Sequence, residues 1–156
     1  MPTVLLRAAR RFVARRELLA DLGLLVLRVG GAALLWHYHV LRKLGSFEEE
    51  LLHFPDPIGL GSDVALILAL ISEGLCSLLV ALGLLTRIAS LPIVLSMLMV
   101  LRLALVGFEG ADVQGAYLYG LPYLALVALG PGRFSLDARL APFYERRLGL
   151  EPGALR

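Results

Sequence analysis

The sequence predicts an all-α membrane protein, an antiparallel four-transmembrane-helix bundle with an amphipathic N-terminal helix. Three observations carry this. Hydrophobic residues make up 58% of the 156-residue chain and charged residues only 18%, whereas a soluble domain is about half apolar and about a quarter charged. The apolar residues are gathered into runs: between Asp63 and Arg87 the only ionisable side chains are Glu73 and Cys76, and such a stretch spans a hydrocarbon core of about 30 Å. The basic residues flank those runs instead of forming the continuous patch that nucleic-acid binding needs, so no nucleic-acid partner is expected.

Residues 1–20 hold Arg7, Arg10, Arg11, Arg15 and Arg16. From Val4 to Glu17, Leu5, Leu6, Ala9, Phe12 and Val13 fall on one helical face, which suits a helix lying on an anionic inner surface. An extended arm or a removable presequence is the competing reading. The bundle occupies 21–131, with spans at about 22–40, 64–85, 88–106 and 116–130. Each is ~15–22 residues, helical in length, and the runs lack the alternation of barrel strands. Pro92 and Pro122 fall inside the last two spans, where neighbouring helices re-satisfy the freed carbonyls. The connection from Gly45 to Ser62, rich in aromatic and proline residues, is expected to form a short lid. Residues 132–156 form a C-terminal tail. Eleven basic residues lie on the side of the termini and two on the other, so the positive-inside rule places both termini in the cytoplasm of a multi-pass protein.

Charges inside spans cost several kcal/mol unless paired, which makes each a candidate site. Counted at ~1.5 Å per residue, Glu73, Arg102 and Tyr117 share a level ~20 Å from the cytoplasmic face, His39 lies slightly above it and Arg28 near ~10 Å. Glu73 and Arg102 are read either as an ion pair locking two helices or as the lining of a polar pocket. His39 shares a face with Arg28 and is favoured over His37 as the inward histidine. The candidate pocket is therefore Glu73, Arg102, Arg28, His39 and Tyr117, with Tyr117 also fitting an interfacial aromatic belt. Residues two apart diverge on a helix, so His37 and His39 do not make a metal pair, and no metal is expected. The single cysteine excludes an internal disulfide or a CxxC couple, so any redox role relies on a bound cofactor or a partner.

Several segments resemble the DoxX family of small four-helix bacterial membrane proteins. LRVGGAALLWHYHVLRKLGSF is similar to its first-helix pattern, with Arg28, then His39 and Lys43 four apart. SEGLCSLLVALGLLTRIAS resembles the second helix, with Glu73, Gly83, Thr86 and Arg87, and GPGRFSLD resembles the exit from the fourth. Two positions depart from the pattern: Gln114 stands nearest where many members carry an acid, and Arg102 where many carry a histidine.

The resemblance implies an inner-membrane protein in a quinone-linked oxidoreductase system, related to a subunit of a thiosulfate:quinone oxidoreductase. It implies membrane or soluble redox partners besides the lipid bilayer. No covalent cofactor is expected, and the non-covalent candidate is a quinone held by Arg102, His39 and Tyr117, with Glu73 relaying protons. No residue is assigned as catalytic. The alternative is a non-catalytic accessory or assembly subunit of a larger respiratory or photosynthetic complex; a small transporter is a weaker third reading, since no inverted repeat or broken-helix pair is visible.

Overall fold

Residues 2–149, 151 and 153 are described by a computed structural model, with side chains from residue 12 onward except Leu148. The described residues form helices and no strand. The first helical run is α1 (Pro2–Leu35), a wide turn at Trp36–Val40 and α2 (Leu41–Gly45); α3 (Phe47–His53) follows. The second run is α4 (Ser62–Leu70), another wide turn at Ile71–Cys76 and α5 (Ser77–Leu82). Then come α6 (Thr86–Leu105), α7 (Val113–Leu129) and α8 (Leu136–Leu148). Three of these stretches, Phe12–Gly45, Ser62–Leu82 and Thr86–Leu105, are long and apolar enough to cross a membrane; α7 is apolar but 17 residues long. The protein is an integral membrane protein in contact with lipid, and Val26, Ile88 and Leu121, each more than 60% exposed, fit that solvent.

Two boundaries differ from expectation. No turn falls near residue 20, because α1 passes unbroken into the first apolar run; a helix lying flat on the surface would need a bend there. The lipid-facing set Leu5, Leu6 and Ala9, with Arg7, Arg10 and Arg11, has side chains outside the described residues, and Arg156 lies outside them altogether. The first run also continues past Val40 to Gly45, since nothing in LRKLG breaks a helix until its C-terminal glycine.

The helices meet through Leu35, Cys76, Val80, Ile93, Met97, Tyr119, Tyr123 and Leu126. Small residues let backbones approach: a Cβ on Gly31 would sit 3.7 Å from the Tyr123 ring, and one on Gly120 would sit 3.3 Å from Met97. Without a hydrophobic drive between helices in lipid, this close packing holds them together.

One end of the bundle is closed by polar contacts across distant parts of the sequence. α5 ends in a Schellman turn: Gly83 adopts φ 71°, its N–H reaches Val80 O, and Leu84 N–H reaches Leu79 O. The carbonyls left over at this negative helix end attract a cation. Arg28, wholly buried, supplies it, donating to Ala81 O at 3.2 Å and to Phe134 O at 2.7 Å. The start of α6 is capped from 52 residues away: Asp137 Oδ1 accepts from Leu85 N at 2.8 Å and Oδ2 from Thr86 N at 3.0 Å. Asp137 N in turn donates to Gly83 O at 2.8 Å. The segment after the fourth apolar helix is thus built into the fold. Ser135 caps α8, accepting from Ala138 N at 3.1 Å, and Ala141 and Glu145 on its inner face are buried.

Candidate functional site

At the opposite end, the two wide turns face each other. Each is a π-helical turn, which rotates the side chains beyond it and loosens the carbonyls inside it; such turns are frequent at functional sites. In the second turn the loosened carbonyls are taken up locally. Ser77 Oγ donates to Glu73 O and to Gly74 O, and the indole N–H of Trp36, on the first turn, reaches Gly74 O at 3.2 Å. This bond ties the two helical runs together next to Glu73.

Glu73 is 3% exposed and its partner is Lys43, whose Nζ lies 2.5 Å from Oε2 and which is itself 5% exposed. Lys43 reaches inward along its apolar stem, and the Phe54 ring lies 5.4 Å from its ammonium. Next to the pair, His39 meets Tyr119 edge to face, with centroids 4.9 Å apart. Ser72 Oγ and Ser96 Oγ are 2.6 Å apart and tie the second turn to α6. All these side chains line a cleft of about 1200 Å³ whose other walls are mostly apolar. That volume lies just above the ~300–1000 Å³ of ordinary ligand sites.

The expected pocket residues separate. His39 lines the cleft beside Glu73, while His37 is exposed and packs on Tyr38. Arg102 is not the partner of Glu73: its guanidinium donates to Pro57 O at 3.0 Å, on an exposed rim. The reason is register. Counted from the Gly83–Leu85 turn, Glu73 lies ~15 Å along its helix and Arg102 ~24 Å along the next. Tyr117 is 54% exposed, and Tyr119, two residues on and therefore on the opposite face, takes the inward position. Arg28 belongs to the closed end, not to the cleft. Lys43 stands outside the expected pocket because it lies past the expected span end at Val40; its spacing of four from His39, which puts both on one face, is the sequence signal that joins it to the site.

The lid carries its own fastening. After α3 the chain folds round Asp56, whose carboxylate accepts from the N–H groups of Ile58, Gly59, Leu60 and Gly61 at 2.7–3.3 Å. Phe54, Pro55 and Pro57 face the cleft, while Leu52 is exposed. The Gly61 N–H bond is the largest of several that hold the Asp56 carboxyl below its usual value near 3.8. A depressed folded value means the fastening is complete above the ordinary aspartate range and is lost as pH falls through the lowered one. Asp56→Ala is therefore expected to speed protease cleavage within residues 54–61 at neutral pH. Wild type should match that rate only in strong acid, read with an acid-active protease. Equal rates at neutral pH would remove Asp56 as the fastener.

The long apolar helices and the buried ion pair at a cleft define a small helical membrane protein with an internal polar site. A family model for DoxX matches residues 23–106, more than half the chain, and the protein belongs to the DoxX family. That family is linked in general to membrane oxidoreductase roles. No curated protein and no solved structure matches the chain.

Proposed function

We propose that the protein is a membrane subunit of a quinone-linked oxidoreductase system and that its cleft receives the quinone head. Four membrane crossings are read here, α7 being the shortest, with both termini in the cytoplasm of a bacterial inner membrane; eleven basic residues on that side against two on the other support it. The cleft and lid then face outward.

One observation carries the reading: a buried Lys–Glu pair and His39 stand together in the wall of a mostly apolar cleft. The donor set fits a quinone, whose two carbonyls need hydrogen-bond donors and whose ring needs apolar walls. Lys43 Nζ and the His39 ring supply donors, in place of Arg102 and Tyr117, which stand elsewhere. Glu73, held by Lys43, accepts or returns a proton at Oε2. Tyr119 backs the histidine ring and orients it. The lid and Phe54 keep water from the pair, which strengthens its electrostatics. A bound quinone would supply two-electron, two-proton chemistry, exchanging electrons with a partner oxidoreductase or taking them from a soluble sulfur-anion reductant.

Organic extraction of purified protein, followed by redox difference spectra, tests this. Wild type is expected to yield a quinone, and the double substitution Lys43→Met with Glu73→Gln to yield none while remaining folded. Wild type that carries no quinone and binds none added would overturn the reading. Stoichiometric co-purification with a larger complex whose assembly fails on deletion would then favour the accessory-subunit alternative.

A further inference from the structure

We propose that the cleft opens sideways into the bilayer between α4 and α6, and that its ligand is an amphiphile whose apolar tail lies in that portal. The inference rests on the reading of the cleft as a quinone-head site and adds the route and the tail. The second helical run and α6 pack closely from their connecting turn up to the Ser72–Ser96 bond. Beyond that bond their packing thins: α6 packs on the wide turn at Ile71–Cys76 and far less on α4. The cleft fills the gap. Its walls there are Leu68 and Ala69 on one helix and Leu95 and Met99 on the other.

Exposure distinguishes this gap from a water-filled mouth. Leu68 is 46% exposed and Leu95 56% exposed, yet both line the cleft. Leu68 lies ~9 Å inside the start of its helix and Leu95 ~15 Å from the end of its own. Both residues sit within helices long and apolar enough to cross the membrane, so what reaches them from outside is lipid. The neighbouring helices are joined more closely, α6 packing on α7 and His39, on the wide turn after α1, stacking on Tyr119 of α7. At the inner end stand Lys43, Glu73 and His39, which suit a polar head. A polar anchor, an apolar corridor and a lipid-facing exit in line describe a site for a tailed molecule.

Titration by native mass spectrometry of the purified full chain tests this with three probes. The first is a short benzoquinone without a tail, the second the same head with a ten-carbon tail, and the third a phenol with that tail but no quinone carbonyls. The tail should tighten quinone binding by at least about tenfold, given the apolar area it buries. Leu68→Trp and Leu95→Trp, each at a half-exposed position that tolerates bulk, should erase that gain and leave the tail-less probe bound as in wild type. Leu91→Trp, exposed on α6 but outside the cleft, should leave both unchanged. If the tail adds nothing, or the gain survives both portal substitutions, the portal is overturned while the quinone reading stands. If neither quinone binds but the tailed phenol binds in a portal-sensitive way, the quinone reading falls and the portal stands. If no probe binds, both fall.

Discussion

Glu73→Gln alone is expected to destabilise the protein in detergent by about 3–5 kcal/mol, because it leaves the Lys43 ammonium buried without a counter-charge. Lys43→Met alone should cost a similar amount, since it strands the Glu73 carboxylate. The double substitution removes both charges and should recover most of the loss. The physical ground is burial: both side chains are about 5% exposed and 2.5 Å apart, so neither has water to fall back on. Thermal melts of the four proteins form a double-mutant cycle, and additive losses would show that the pair is not coupled. Function separates from stability in the same set. The double variant should fold and yet bind no quinone; a double variant that binds like wild type would make the pair purely structural. Arg102→Met belongs in the series as a contrast. Its bond to Pro57 O is on an exposed rim, and its loss should change the melt little.

What was legible in the sequence, and what was not, follows from the range of each interaction. Three long apolar stretches could be read from composition because lipid selects every residue along them. His39 could be preferred over His37 because the choice depends only on helical angle, which is local. Glu73 was visible as a buried acid, but its partner was not. The ammonium that neutralises it sits beyond the expected span end at Val40, buried on α2. The facing wide turns left no mark that a regular 3.6-residue count can detect, though they decide where Glu73 points. At the other end, Arg28 looked like a site residue by the same rule that picked Glu73. A buried arginine whose hydrogen bonds go to the carbonyls of a helix end serves that end, and that distinction needs the neighbours' geometry.

Gly83→Ala is expected to be strongly damaging, on the order of 3 kcal/mol or more once strain and lost bonds combine. The residue sits at φ 71° to close the Schellman turn, a conformation that already disfavours a Cβ. The added carbon would strike Arg28 Nη1 and Ser135 Cβ, and would lie 2.9 Å from Ser135 Cα. An arginine tip can move, but the Ser135 backbone cannot shift without drawing Asp137 from the Leu85 and Thr86 amides. One methyl therefore releases the Arg28 clamp and the cap on α6 together, and α8 should loosen with them. Gly30→Ala is the control: nothing lies within 4 Å of its Cβ, and a helical alanine there should be neutral or stabilising by up to about 1 kcal/mol. Hydrogen exchange gives a second reading, with faster exchange expected at Leu85, Thr86 and along α8 in the Gly83→Ala protein. Asp137→Asn, which keeps the shape but removes the charge, should fall between the two. A Gly83→Ala protein that melts like wild type with α8 still protected would show that Ser135 and Arg28 do not hold this end closed.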